Sequence, residues 1–531
     1  MAHEQVGKIE LKRELGLFSA VSIILAVMIG SGIFVSPTSA FERSGSVGFC
    51  LFVWISCGVL SLLGALAFAE LSTVVPRSGA EYAYFIEAFG PLHAYAGQIP
   101  AFICSWIYVM LLRPAEVAVI TLTFAEYSVQ PFSKYLCGLS VNSMAMLKNL
   151  IAIIALGLIT YINLVSVKLY VKVQNVFTVC KIVACMVVIG GGIWWLSSGH
   201  VELLDKPFRG TTTSAGNIAL AFYSGLWAYD GWSSAAIVTE EIQRPEVNIF
   251  RSTIIAVPII TVLYVSMNLM YMSALTMSEM KSAAAVAVIW ADRVLPPWMG
   301  FAIPLGVALS TFGCALSIQF SVSRLCFVAG REGHVPRVFS YVHIEKMTPA
   351  AAVIFQCILS LACMMLGDIV ALIEFASFLM WVFYGFAMIS LLIMRRTKPD
   401  APRPYTVPIV IPWVVLAISI FLAVLPIVYE PSIKYLFALA FILCGIVVYH
   451  VFVYKKIRNT LSGEYNRLNN YFAIFYMYKR FIIKYNLFYL IIIIYIIYDF
   501  VSFFRQADVF NASIMFDCCS RWKKRLNKYF F

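Results

Sequence analysis

Residues 17–37 read LFSAVSIILAVMIGSGIFVSP. At about 1.5 Å per helical residue this stretch is long enough to cross the ~30 Å hydrocarbon core of a bilayer. Yet Gly30, Ser31 and Gly32 sit in it, and two glycines cost a helix about 2 kcal/mol relative to alanine. A plain anchor has no need of them. The same device recurs at 219–238, ALAFYSGLWAYDGWSSAAIV, where Gly225 and Gly231 flank one carboxylate, Asp230. Interrupted segments placed first and sixth along a multi-span chain point to a substrate site at the bilayer midplane, where half-helix ends face a ligand.

Composition agrees with a polytopic membrane protein. Of the 531 residues, 61% are hydrophobic and 12% charged, against about 25% charged in soluble domains. Counting domains by length therefore does not apply. The net charge of +12 is no nucleic-acid signal, because the basic residues cluster between apolar segments. Residues 1–15 are polar and charged, and the apolar segment after them is longer than a signal-peptide core and lacks a small-x-small cleavage site. An uncleaved first span is expected.

Apolar segments fall at roughly 16–40, 47–72, 92–127, 147–165, 169–197, 213–239, 250–276, 297–328, 350–366, 369–394, 409–428 and 434–454. This predicts an all-α fold of twelve transmembrane helices, each near the ~20 residues a bilayer requires. With the N-terminus inside, the inner segments hold about nineteen Lys and Arg and the outer loops eight. That bias places both ends of the twelve-span core in the cytoplasm. The breaks lie five spans apart, as in a five-plus-five inverted repeat with antiparallel spans 1 and 6. Three regions result: a cytoplasmic N-terminus at 1–15, a twelve-span domain at 16–458 and an atypical tail at 459–531.

The tail is rich in Tyr, Phe, Ile, Asn and Lys. These residues share AT-rich codons, so translated non-coding sequence, an interfacial tail and a thirteenth span at 485–503 all stay open. Most of the thirteen cysteines lie in apolar segments, where thiols behave as small hydrophobes. Cys137 differs. It sits in the polar-flanked loop KYLCGLSVN on the outer side, where an unpaired cysteine points to a bond with another chain.

Unwinding at Gly30, Ser31, Gly32 and Ile33 frees N–H groups at the positive end of the next half-helix, a seat for a carboxylate. The competing explanation is a small-residue face that lets helices approach. The second break exposes carbonyls that suit an ammonium group. Asp230 at the midplane costs at least ~2.5 kcal/mol and is a functional candidate by default. It either neutralises a cationic substrate side chain or pairs internally with Lys181 or Arg113. Trp227 either covers the ligand or packs. Lys181, in FTVCKIVACMVV, needs oxygens because a buried ammonium must find them. It either ties span 5 to the carbonyls of the broken span 1, taking the place of a bound cation, or makes a helix–helix salt bridge. Arg113 and Glu116 lie one turn apart, as a pair or as part of the pathway. Glu240, Glu241 and Arg244 after span 6, with Arg324, Arg331, Glu332 and His334 near the end of span 8, form either a charged gate or a solvated rim.

No enzyme signature emerges. The chain has no nucleotide-binding loop, no metal spacing among its histidines and no G-x-S-x-G elbow. Neither a metal nor a cofactor is expected.

Four stretches, ELGLFSAVSIILAVMIGSGIFVSP, CGVLSLLGALAFAELSTVVPRSGAEYAYFIEAFGP, LAFYSGLWAYDGWSSAAIVTEEIQRPEVN and SRLCFVAGREGHVP, occur in this order. They resemble the light subunits of heterodimeric amino-acid transporters, in the amino acid–polyamine–organocation superfamily. The likeness covers about residues 12–458. It implies a LeuT-like five-plus-five inverted repeat and sodium-independent exchange of amino acids at the plasma membrane by alternating access. By position, the substrate carboxylate meets the backbone at Ser31, Gly32 and Ile33. The α-amino group meets carbonyls at Met28, Trp227 and Asp230. Lys181 matches the lysine at the sodium position. Cys137 matches the cysteine that binds a single-span glycoprotein heavy subunit of the rBAT or 4F2 type.

Within the family, Trp-Ala-Tyr-Asp-Gly-Trp looks most like the system b-zero-plus type, which takes dibasic and neutral amino acids and cystine. Ser233 and Leu316 stand where relatives often have Asn, and both remove polar reach from the pocket. Arg113 is shared with relatives that carry large neutral amino acids or exchange cystine for glutamate, which keeps those alternatives open. From another class, an amino-acid-binding receptor or sensor also remains. If Cys137 forms the intersubunit bond, Cys137→Ser abolishes the reducible high-mass band on a gel; a persisting band removes the assignment.

Overall fold

A computed structural model of the chain describes residues 13, 15–132, 141–282, 286–296, 299–343, 348–366, 369–429 and 433–455. All of the named elements are helical. Cys137 and residues 459–531 lie outside the described residues, as do residues 1–12. The chain divides into a unit of Met1–Ala473 and one of Ile474–Phe531, and every described residue belongs to the first.

The first apolar stretch forms two helices, α1 (Leu17–Met28) and α2 (Gly32–Ser44), bent by 47° across residues 29–31. α3 (Val47–Val74) follows, then the short α4 (Glu81–Phe89). α5 (Ile99–Ile107) and α6 (Arg113–Val129) are joined by a π-helical turn, Tyr108–Leu112. Pro114 in the first turn of α6 has no N–H to donate, and the wider turn before it absorbs that gap. α7 (Val141–Val165) and α8 (Val167–Ser197) are long and apolar.

The second interrupted stretch gives α9 (Ala215–Ala228), an irregular turn at 229–233, and the one-turn α10 (Ser234–Ile237). α11 (Pro245–Ala274), α12 (Met277–Ser282), α13 (Val286–Val294) and α14 (Ala302–Glu332) come next. α15 (Ala350–Leu366), α16 (Ile369–Thr397), α17 (Val410–Tyr429) and α18 (Ile433–Val448) complete the set. Among the described residues, seven continuous helical stretches, one of them Ala96–Phe132 through α5 and α6, are long and apolar enough to cross a membrane, or eight with the bent α1–α2 pair. The α4, α12 and α13 helices interrupt segments expected to be plain loops. The third apolar segment begins later than the expected 92 and runs on to Phe132.

α8 explains what drives the packing. Its outward face carries Val176, Val179, Val183, Met186 and Trp194, all more than half exposed. Its inward face buries Gln174, Thr178, Lys181 and Cys185. An apolar exterior around a polar interior reverses the pattern of a soluble helix and suits lipid outside and a polar pathway inside. α1 packs against α8, α11 and α14, and α2 packs against α9.

The two interrupted stretches meet backbone to backbone. A Cβ on Gly32 would lie 2.5 Å from the Ala228 Cα. Gly231, at φ +107°, would place a Cβ 2.5 Å from Val27 Cγ1 and 3.2 Å from the Met28 nitrogen. Here the glycines both interrupt a helix and permit close approach. Gly231→Ala therefore combines strain with overpacking, a cost of about 1–3 kcal/mol. It is expected to lower the thermal midpoint of the purified protein, whereas Gly90→Ala, which meets open space, is not. Equal midpoints for both variants would contradict the close approach.

Candidate substrate site

Ending α1 at Met28 leaves carbonyls with no partner in the helix. Each one finds a donor. The Ile29 N–H donates to the Leu25 oxygen at 2.9 Å. Lys181 Nζ donates to the Ala26 oxygen at 2.5 Å, and Cys314 Sγ to that of Val27 at 3.2 Å. Met28 accepts from Tyr264 Oη at 2.5 Å and from the Gly30 N–H at 2.8 Å. Ile29 accepts from Ser310 Oγ at 2.9 Å. The side-chain donors come from α8, α11 and α14. Each unmet carbonyl would cost about 1–3 kcal/mol.

The far side of the break is different. Phe34 and Val35 donate back to the Ser31 oxygen at 3.1 and 3.0 Å. Among the described residues, the N–H groups of Ser31, Gly32 and Ile33 meet no acceptor. They form the start of α2, where the helix dipole adds partial positive charge.

The second break is closed by short-range bonds. Tyr229 donates to Gly225 and Asp230 to Trp227, both at 3.2 Å, and Ser234 to Gly231 at 3.0 Å. The Ala228 oxygen accepts from Tyr264 Oη at 3.2 Å. One hydroxyl proton is thus shared between the C-terminal ends of α1 and α9.

Between the breaks lies a small cavity of about 30 Å³. Met28, Gly30, Ser31 and Gly32 line it from the first break, Trp227, Ala228 and Asp230 from the second, and Glu116 and Cys314 from α6 and α14. Ile33 is fully buried and is not among the lining residues. Ser233 is buried at the start of α10, also off the cavity lining.

Arg113 donates to Glu116 Oε2 at 2.7 Å and stands 3.6 Å from Asp230 Oδ2. Tyr384 donates to Asp230 Oδ1 at 2.6 Å. Of the open pairings, Asp230 takes Arg113, and Lys181 takes a carbonyl instead of a carboxylate. Tyr264, Ser310, Cys314 and Tyr384 escaped the sequence reading, because a lone hydroxyl or thiol in an apolar run carries no pattern.

At one end of the bundle, backbone and charged contacts join Leu15, the stretch after α10, and α14. Leu15 donates to the Glu241 oxygen at 3.0 Å and accepts from Gln243 at 2.8 Å. Glu241 pairs with Arg324 at 3.0 Å, with both side chains almost fully buried, and Arg324 lies over the Phe320 ring. Glu240 pairs with Arg331 at 3.3 Å and accepts from the Ser78 N–H at 3.1 Å. Nearby, Glu70 is fully buried and receives a two-pronged bond from Arg395 at 2.9 and 2.6 Å. Arg244 takes another role, as a left-handed residue before α11.

His334 shares a 2.9 Å hydrogen bond with Tyr82 Oη. Burial pushes its pKa down to about 4 from 6.5. The ring is therefore neutral at physiological pH, and the stability that depends on it is lost as pH falls from about 6.5 towards 4.

Lys181→Met keeps the side chain's bulk and removes the one side-chain donor to Ala26 among the described residues. Uptake of all substrates is expected to fall together, by about tenfold or more, with a lowered thermal midpoint, for a loss of about 1–3 kcal/mol. Unchanged exchange in reconstituted vesicles would contradict this role.

The sequence profile described as amino acid permease matches residues 15–449. The chain is 43% identical over 446 residues to the b(0,+)-type amino acid transporter 1 of Mus musculus, covering 84% of this chain and 89% of that protein. It is 37% identical over 448 residues to the cystine/glutamate transporter of Homo sapiens, covering 84% and 86%. It is also 37% identical over 451 residues to the large neutral amino acids transporter small subunit 2 of Mus musculus, covering 84% and 82%. With its helical bundle and a profile match over most of its length, this chain belongs to the amino acid permease family.

Proposed function

We propose that this chain is a sodium-independent exchanger of cationic and neutral amino acids, and of cystine, in the plasma membrane. It is a twelve-span, LeuT-like five-plus-five bundle with discontinuous spans 1 and 6. Both ends of the core at 16–458 are cytoplasmic. A single-span heavy subunit of the rBAT or 4F2 type is joined through Cys137.

One observation carries the reading. A single cavity is bounded by the unpaired N–H groups that open α2 and by Asp230. The N–H groups suit a carboxylate, and Asp230 suits a cation. A basic amino acid carries both charges. The substrate carboxylate binds at Ser31, Gly32 and Ile33, and its α-amino group binds carbonyls of Met28, Trp227 and Asp230. The Met28 oxygen already has two donors, so the ammonium displaces the Gly30 N–H there. Lys181 stands in for a bound sodium ion. The higher identity to b(0,+)-type relatives than to a cystine/glutamate relative supports the choice of substrates.

The Leu15, Glu241 and Arg324 contacts act as the cytoplasmic gate. Opening it separates a buried ion pair, which costs several kcal/mol, so an empty carrier resists the change and exchange is favoured over one-way flow.

Uptake of arginine, leucine and glutamate into proteoliposomes, with and without internal arginine and without sodium, tests the proposal. Arginine and leucine uptake dependent on internal substrate is the expected result. Glutamate uptake in their place overturns the substrate assignment, and saturable binding without accumulation indicates a sensor. Asp230→Asn is expected to lower arginine uptake about tenfold more than leucine uptake, as loss of one charge contact predicts. Equal loss of both sinks the cation site.

A further inference from the structure

The geometry points to Glu116 as a specificity-determining residue. It is a second carboxylate of the site that receives the distal ammonium or guanidinium of a basic amino acid, and it withholds Arg113 from acidic ones. The inference rests on the exchanger reading above and adds a residue and a charge balance to it.

α6 begins Arg113, Pro114, Ala115, Glu116, and residues three apart share a helix face. Both charged side chains are nearly buried, at 7% and 3% exposure. Arg113 makes its short bond to Glu116 at 2.7 Å and stays 3.6 Å from Asp230. The guanidinium is therefore committed first to its own helix. Asp230 retains only a looser contact with it, and the Tyr384 hydroxyl.

The charges do not cancel. With both carboxylates ionised, Glu116 and Asp230 set two negative charges against the one positive charge of Arg113. Lys181 is committed to the Ala26 oxygen. An anionic substrate side chain meets this excess, and a cationic one relieves it.

Glu116 also has an oxygen to offer. It lines the cavity, and its buried Oε1 has no hydrogen-bond partner among the described residues. A buried unpaired carboxylate oxygen is costly unless a donor arrives. A substrate ammonium or guanidinium brings several donors, enough to bridge Glu116 and Asp230.

The test compares wild type, Glu116→Gln, Glu116→Asp and the double variant Arg113→Gln/Glu116→Gln in proteoliposomes loaded with arginine. Uptake of arginine, leucine and glutamate is measured for each. Glu116→Gln is expected to lower arginine uptake relative to leucine on the order of tenfold, as removal of a unit charge near the bound cation predicts. Glutamate uptake is expected to appear, because Arg113 is released. Glu116→Asp restores the arginine preference. The double variant removes both partners of the pair, which protects folding, and is expected to show no glutamate uptake because no arginine is left to receive it.

An arginine-to-leucine ratio in Glu116→Gln equal to that of wild type overturns the inference. So does glutamate uptake in the double variant as large as in the single. Absence of any exchange by the wild-type protein would instead remove the exchanger reading itself, so the two failures are distinguishable.

Discussion

The structure depends on a single constraint: a helix interrupted inside a low-dielectric bundle must have its freed carbonyls met from outside. At the end of α1, four side chains from three helices meet them, Lys181, Cys314, Tyr264 and Ser310. Each is held in place by an otherwise apolar helix. The α8, α11 and α14 helices surround α1, and polar residues on their inward faces answer the break. The N–H groups on the other side are left without protein partners. That asymmetry, donors supplied on one side and acceptors withheld on the other, is what the proposed carboxylate seat rests on.

The second organising element is charge buried in pairs. Arg113 with Glu116 and Asp230 lies at the cavity, and Glu241 with Arg324 lies at one end of the bundle. Glu70 with Arg395 tethers α3 to α16. Such pairs contribute little net stability against a packed apolar alternative, yet breaking one by removing a partner costs about 3–5 kcal/mol. They are suited to states that must be distinct and must interconvert. The Leu15–Ile242 pairing adds backbone bonds at the same end as the Glu241–Arg324 pair.

Much of this was legible in the sequence because the relevant physics is local or compositional. Gly30, Ser31 and Gly32 stand out in a hydrophobic run, and a helix break there follows from propensity. Lys181 in an apolar segment had to find oxygen, and the nearest unmet carbonyls belong to the interrupted span. The Arg113–Glu116 pair follows from helical spacing. The approach of Arg113 to Asp230 was left open, since it joins segments far apart in the chain. Tyr264, Ser310 and Tyr384 were invisible, because hydroxyls on long apolar helices carry no periodic signal. The α4, α12 and α13 helices escaped for a different reason, being too short to register as spans.

The bond between Lys181 and the Ala26 oxygen has an energetic corollary. An ammonium attached to the backbone never leaves the protein, whereas a dissolved ion at that position would enter from one side and exit on the other. The tethered charge performs no electrical work over a cycle and draws nothing from an ion gradient. In the proposed exchange, the driving force is therefore set by the amino acids alone. Swapping an external cationic amino acid for an internal neutral one moves one net charge inward. A membrane potential of about 100 mV biases that swap by about 2.3 kcal/mol, enough to favour cation entry on voltage alone, with the neutral amino acid as the outgoing currency.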